Sequence, residues 1–481
     1  MARTDRLKPL LVLLTALSAL AFWRFEVAAH LPLSVDEAYY FAWSLTPDWG
    51  YWTKPPLIAW AIGSAHQLCG PSTGCLRSVG VLGFSATSLL IYALARRMSQ
   101  APAAAVAAAL GFATLPLASF YGVAASTDAL LLLCWTAAMY SLWLALQGHA
   151  WGWVGLGLSA GLGLLAKYSM AVLGPSVVLV LLHRPWRVHW RKPGPYVAMA
   201  IAVLVFAPNV WWNLTHGMPT LHHTAEISRG ASYGLNLSSM LGFWAEQALV
   251  GNVVLFGVFV AWAVSKRWKG SDAGWFWLML SAPMLVVMSM QALWSRANAN
   301  WAAPAHVAVC MTAVACLWQH RRRTWLVIAL CFNLIFALLL YHGQTLVREP
   351  LGLSASWRTD PYWALRNWPG LQDQVRQALM DRGTPPAQWR VASDDRAVLA
   401  QMQWGLALPA GHAMGWMPKG VANNHFDQRF ALHTRSGPVL LITQASADVV
   451  QAQFPNAQAG PALRSAQVES EALTYSSWWL D

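Results

Sequence analysis

The residues best equipped for chemistry in this chain are the few charges that interrupt or border its apolar stretches. Asp36 and Glu37 stand together in Ser34-Val35-Asp36-Glu37-Ala38-Tyr39-Tyr40, and Lys54 follows in Tyr51-Trp52-Thr53-Lys54-Pro55-Pro56. Asp128 heads one apolar stretch, Lys167 interrupts another, Glu246 lies inside a third, and Arg296 follows a fourth. His222, His223, Glu226 and Arg229 share a second polar segment. A carboxylate can take a proton from an attacking hydroxyl, and Lys or Arg can hold a phosphate. Ionisable groups at membrane depth are costly and are mostly functional or paired. Both signs gathered at one depth point to a site that binds an anion and moves a proton.

Each of these residues also has a plainer reading. Ser34 followed three residues later by Glu37 fits a capping box, so a capping role competes for Asp36 and Glu37. Lys54 precedes Pro55-Pro56, which projects it from a rigid turn, or it snorkels to the interface. Arg296 serves equally as an interfacial anchor. Lys167 could neutralise Asp128 inside the bundle, and Asp128 could belong to a helix start. His222, His223 and Glu226 have a helical metal-ligand spacing, but a solvated loop explains them better, and no metal site is expected. With 30 Trp in the chain, interfacial belts explain most aromatics.

The elements that must position these residues are membrane spans. The composition is 57% hydrophobic and 11% charged, against roughly 25% charged in soluble domains. A spanning helix needs about 20 apolar residues. Candidate spans lie near 9–28, 76–95, 102–121, 125–146, 151–166, 169–183, 194–212, 239–264, 274–293, 301–318 and 323–342, about eleven in all. The net charge of +12 does not mark a nucleic-acid binder. Its excess sits in short segments that hold Arg3, Arg6 and Lys8, Arg96 and Arg97, Arg184 to Lys192, Lys266 to Lys269, and Arg321 to Arg323. That is the positive-inside pattern, with the N-terminus cytoplasmic. One long helix over 151–183 would reverse everything downstream and put those later basic segments outside. Two short spans broken at Lys167 are therefore expected. The first apolar run lacks a small-residue cleavage site and reads as a retained helix.

Two outer segments are long, about 29–75 and 213–238, and the first should contain short helices lying at the membrane surface. Cys69 and Cys75 flank a Gly-Pro-Ser-Thr-Gly loop there. They could form a disulfide in an oxidising compartment or remain two thiols. From about 345 the apolar content falls and charges balance. Val439-Leu440-Leu441-Ile442 reads as a strand and 370–382 as an amphipathic helix. The expected organisation is a polytopic α-helical membrane domain over 1–344, including the loop 29–75, and a small α/β extracytoplasmic domain over 345–481.

These motifs resemble the bacterial glycosyltransferase family 39 group, relatives of protein O-mannosyltransferases and of the lipid A aminoarabinose transferase. The resemblance rests on Asp36-Glu37-Ala38-Tyr39-Tyr40, Tyr51 to Leu57, Thr127-Asp128, Leu164-Leu165-Ala166-Lys167-Tyr168 and Asn300-Trp301-Ala302-Ala303-Pro304. Thr53 stands where the family often has an acid, and Gly251-Asn252 where a proline is expected. The resemblance implies the GT-C membrane fold and an inverting transfer of sugar from a polyprenyl-phosphate donor to a lipid, glycan or protein acceptor. It places the work on the periplasmic face of the bacterial inner membrane. It implies Asp36 as general base, Glu37, Tyr39, Tyr40 and Asp128 toward acceptor and sugar, and Lys54, Arg296 and Lys167 on the donor phosphate. Because Arg grips phosphate with two donors and Lys acts as a point charge, Arg296 and Lys54 rank first. No cofactor is expected, although a divalent cation would be compatible with the acids.

Two other functions compete. A secondary transporter of an anionic or lipid-linked substrate would show internal symmetry and midplane charges, and the break at Lys167 has no counterpart in another half. A membrane-anchored binding protein would need an active tail, and the tail shows no nucleophile or metal pattern.

Overall fold

The computed structural model describes residues 4–228, 234–356, 358–433, 438–464 and 474–480. Arg3 and Arg229, both weighed above, lie outside the described residues. The chain runs through α1 (Thr4–His30), α2 (Val35–Ser44), α3 (Leu57–Cys69), α4 (Thr73–Arg97), α5 (Pro102–Ala113), α6 (Pro116–Tyr121), α7 (Thr127–Leu146) and α8 (Trp151–Ala166). It continues with α9 (Leu173–Leu181), α10 (Gly194–Thr215), α11 (Pro219–Ser228), α12 (Leu237–Val250), α13 (Val253–Val264), α14 (Asp272–Trp294), α15 (Ala305–Gln319) and α16 (Arg323–Gly343). Contacts divide it into two bodies. The first comprises Met1–Ala28, Lys54–Ile58 and Arg77–His342. The second comprises Ala29–Thr53, Ala59–Leu76 and Gly343–Asp481.

In the first body, six helices are long and apolar enough to cross a membrane, or eight spans if each of two bent pairs counts once, among the described residues. This makes the chain a multi-pass membrane protein. Helix α8 packs between α7 and α10, and α15 packs against α5, α13 and α14. The core is built from Phe84, Phe112, Trp135, Phe243 and Phe276, all at most 2% exposed. Two buried arginines that sequence reasoning passed over brace this body. Arg24 donates from Nη2 to the Ala113 carbonyl at 2.6 Å, and Arg77 donates from Nη1 to the Ala28 carbonyl at 2.8 Å. Both carbonyls lie in the last turn of a helix, where the helix dipole favours a cation.

The expected break at Lys167 is present: α8 stops at Ala166 and a 3-10 turn, Tyr168–Val172, leads into α9. Two expected spans need correction. Residues 102–121 form two helices rather than one, because Pro116 opens a new first turn at α6. Residues 239–264 are bent by 116° between α12 and α13. There Asn252 takes a left-handed φ of 69° and accepts from the Val254 and Leu255 N–H groups. It donates to the Ala329 carbonyl and to Asn333 Oδ1 at 2.9 and 2.8 Å. A Cβ on neighbouring Gly251 would stand 2.3 Å from the His306 ring. The Gly-Asn pair thus breaks the expected single span at the position where the family's proline is expected.

The second body joins the first outer segment to the tail, a grouping that composition did not suggest. The tail carries α17 (Trp363–Arg366), α18 (Trp368–Asp381), α19 (Arg396–Gly405), α20 (His425–Arg429) and α21 (Ala447–Gln453). Its strands are β1 (Val391–Ser393), β2 (Ala413–Gly415), β3 (Val439–Thr443), β4 (Gln458–Ala459), β5 (Leu463–Arg464) and β6 (Thr474–Leu480), in the order β2-β1-β3-β6-β4 with β5 on β6. Strands β2, β1 and β3 are parallel, with Val391 beside Ala413 and Leu440, and β6 runs antiparallel to β3. The expected strand and amphipathic helix are β3 and α18. Helix α2 packs on α19, and Gln401 of α19 donates to the Leu33 carbonyl at 3.0 Å. Cys69 and Cys75 are joined by a disulfide that closes the turn between α3 and α4.

Candidate functional site

In the first body, Asp128 sits at the second position of α7 and is 3% exposed. A carboxylate so enclosed must be met by donors, and it is. Lys167 Nζ donates to Oδ1 at 2.7 Å, and Asn300 Nδ2 donates to Oδ2 at 2.8 Å. Lys167 reaches it because the chain breaks into an extended conformation at that residue, with φ −162° and ψ 133°. Asn300 reaches it from the 3-10 turn Ala299–Ala302. That turn is itself held: Gln247 donates to the Ala299 carbonyl at 3.0 Å and bonds His306 Nε2 at 2.9 Å. Next to Lys167, the Tyr168 hydroxyl bonds Asn209 Oδ1 at 2.8 Å and Asn213 Nδ2 at 3.1 Å. Of the two roles open to Lys167, the geometry realises the ion pair with Asp128. Asn300 as the second partner was not singled out in sequence, although it opens one of the quoted motifs.

Arg296 is different. It follows α14 and is exposed between buried Ser295 and Ala297, and its guanidinium has no partner among the described residues. Lys54 is half-buried just before Pro55-Pro56. Glu246 lies on an exposed face of α12. On α11, His222 and Glu226 are exposed, and no group of three or more His, Cys, Asp or Glu side chains stands close enough to hold a metal among the described residues.

In the second body, the capping box at the start of α2 is fully formed. Ser34 Oγ accepts from the Glu37 N–H at 3.2 Å, and Glu37 Oε2 accepts from the Ser34 N–H at 2.9 Å. Capping therefore takes Glu37, which is 2% exposed, and leaves Asp36 outside. The Asp36 side chain is 63% exposed, with Arg396 Nη1 3.9 Å from its Oδ1. The same guanidinium lies 5.2 Å from the centre of the Tyr39 ring.

Glu37, Tyr39 and Tyr40, expected toward acceptor and sugar, are interior residues instead. Tyr39 is fully buried, and its hydroxyl accepts from the His425 N–H at 2.7 Å. Tyr40 packs on Trp43, and Tyr51 stacks on the same indole with centroids 4.8 Å apart. Burial pushes the Tyr39 and Tyr51 hydroxyls well above the ordinary tyrosine value. Tyr51 Oη accepts from the Asp48 N–H at 3.0 Å, and Asp48 pairs with Arg429 at 2.9 Å. His425 completes the cluster, with neither ring nitrogen hydrogen-bonded. Burial, with the nearby Arg429 charge assisting, lowers it to about 3. Aromatic residues that looked like a sugar platform thus form the core that fixes α2 and the exposed carboxylate at its start.

Comparison with known proteins gives these features a setting. The family model for dolichyl-phosphate-mannose-protein mannosyltransferase matches residues 53–212, which include Lys54, Asp128 and Lys167. The lipid A galacturonosyltransferase RgtD of Rhizobium johnstonii is 30% identical over 430 residues, 86% of each chain. The chain belongs to the GT-C glycosyltransferase family that includes this galacturonosyltransferase. An undecaprenyl phosphate-alpha-4-amino-4-deoxy-L-arabinose arabinosyl transferase of Erwinia tasmaniensis is 27% identical over 293 residues, 57% of this glycosyltransferase and 50% of that protein. Crystallised ArnT from Cupriavidus metallidurans, bound to undecaprenyl phosphate, superposes with a TM-score of 0.67 over 98% of both chains at 15% identity, a likeness of fold. Nothing in these relatives favours a transporter.

Proposed function

We propose that this glycosyltransferase moves a sugar, with inversion, from a polyprenyl-phosphate carrier to lipid A at the periplasmic face of the inner membrane. The observation that carries the reading is the match to a lipid A sugar transferase across 86% of both chains. The charge distribution supports the orientation, with the N-terminus cytoplasmic and the tail periplasmic. The Cys69–Cys75 disulfide suits an oxidising compartment for the loop that holds Asp36. If both bent pairs and the short helices α5, α8 and α15 cross the membrane, the spans number eleven.

In this mechanism the Asp36 carboxylate takes the proton of an acceptor hydroxyl as its oxygen attacks the anomeric carbon. The bond from that carbon to the phosphate oxygen breaks, and polyprenyl phosphate leaves with its charge. The transition state is oxocarbenium-like, as in glycoside hydrolysis, and fixed cations must meet the leaving charge. Arg296, a guanidinium without a partner among the described residues, is assigned to that task, with Lys54 as the second cation. Lys167, neutralised by Asp128, is assigned to position the turn that carries Asn300 rather than to hold phosphate. Glu37, Tyr39 and Tyr40 are assigned to hold α2.

The test is direct. Purified protein in proteoliposomes, given undecaprenyl phosphate carrying labelled galacturonate or aminoarabinose together with lipid A, should yield labelled lipid A and free carrier phosphate. Carrier-dependent transfer to a protein or glycan, with lipid A left unlabelled, would sink the acceptor assignment while keeping the donor.

A further inference from the structure

At the end of the first body opposite in character to the one that bears Asp128, a groove of about 590 Å³ runs along α13 beside α15 and α16. Its wall is apolar, formed by Val254, Gly257, Val258, Ala261, Trp262 and Leu317. Three basic side chains, Arg267, His320 and Arg322, line the same groove, and its lining holds no Asp or Glu. Arg267 donates from Nη1 to His320 Nε2 at 3.2 Å, which holds the guanidinium against the groove with a neutral imidazole as acceptor. Lys269 lies over the Trp268 ring at 5.7 Å and Arg323 over Trp318 at 4.4 Å, two further cations close in sequence to Arg267 and Arg322.

We infer that this groove is a binding site for a diacyl anionic phospholipid, with an acyl chain along α13 and the phosphate at Arg267 and Arg322. Length supports the chain. The groove follows α13 from Val253 to Ser265, about 18 Å at 1.5 Å per residue. That is about the hydrocarbon depth of one leaflet, half of the roughly 30 Å core. Charge supports the headgroup. Cations without a carboxylate suit a net anionic phosphate and leave the ammonium of a zwitterionic lipid without a partner. The basic ends of these helices are those that the charge bias assigns to the cytoplasm, so the lipid comes from the inner leaflet. This site is separate from the residues assigned to sugar transfer and stands whatever their roles.

Native mass spectrometry of the full chain in detergent tests it, with phosphatidylglycerol, phosphatidylcholine and polyprenyl phosphate added in turn. Wild type should retain phosphatidylglycerol about tenfold better than phosphatidylcholine. Arg267→Ala with Arg322→Ala should bring the two to parity. Gly257→Phe, which fills open space against the groove, should lower retention of both. Equal retention by the wild type overturns the inference, as does phosphatidylglycerol retention that neither variant reduces. Displacement of phosphatidylglycerol by equimolar polyprenyl phosphate would assign the groove to the carrier instead and overturn it too.

Discussion

Asp128 and Asp36 both lie in the first turn of a helix, and the protein treats them in opposite ways. Asp128 is enclosed, with Lys167 on one oxygen and Asn300 on the other. Asp36 stands in the open beside Arg396, while its neighbour Glu37 does the capping. A buried acid whose acceptors are filled by fixed donors holds two chain segments together, and little of its charge remains for a substrate. An exposed acid on a helix start that others have secured is free to meet a substrate. Pairing, more than residue type, separates the two carboxylates: one is held by fixed donors and the other stays exposed.

The largest effect expected from this contrast is on turnover. Asp36→Asn should lower transfer about a thousandfold, the range for loss of a general base. Its unfolding midpoint should stay near wild type because the side chain is exposed. A variant that keeps full activity would break the comparison at its first member.

Asp128→Asn should act on the fold instead. It leaves Lys167 enclosed without its counter-charge, at a cost of about 3–5 kcal/mol, read by denaturant unfolding in detergent. Asp128→Asn combined with Lys167→Met should recover much of that loss. An Asp128→Asn protein as stable as wild type yet inactive would move Asp128 into the chemistry.

Smaller still, Arg296→Ala should weaken binding of the lipid-linked donor about tenfold, by analogy with other charge-assisted phosphate contacts. Equilibrium binding of labelled donor measures it, and Lys167→Ala should cost donor affinity less than Arg296→Ala does.

The second body should also reveal its buried histidine through pH. His425 titrates at about 3 in the folded protein against 6.5 for an ordinary histidine. Between those values the unfolded chain binds the extra proton, so stability falls as pH drops below 6.5, by up to about 1.4 kcal/mol per pH unit. Asp427, raised above 3.8 mainly by burial, has the opposite sign from 3.8 upward, so the histidine slope is cleanest near pH 5–6.5. His425→Phe should remove that slope in proteolysis or thermal melts of the tail, and an unchanged slope would clear His425 of responsibility. Glu37→Ala, the mildest change, should cost about 1 kcal/mol through the lost cap.

Much of the fold was legible because its signals are local. Helix length, hydropathy and basic inner segments need no tertiary knowledge, and the break at Lys167 followed from charge bookkeeping between loops. The kink at Gly251-Asn252 was less visible. It depends on Asn252 finding Asn333, some 81 residues on, and no proline announces it. The capping box was readable because Ser34 and Glu37 are three residues apart, but which acid it would consume was not. The aromatic pair was illegible for a related reason: Tyr39 and Tyr40 look the same in sequence whether they meet a sugar or pack in the interior, as they do here against Trp43.

The sequence by itself determined the membrane class, the two long polar segments, the α/β tail and the set of charges worth considering. Periodicity, length and charge bias are properties of neighbouring residues. Only the tertiary structure decided which of those charges are occupied. Lys167 meets Asp128 and Arg396 comes beside Asp36 across 39 and 360 positions of chain, and the first long polar segment groups with the tail rather than with the domain 1–344 in which it was expected. Such pairings arise from the packing of distant helices, which local sequence does not encode.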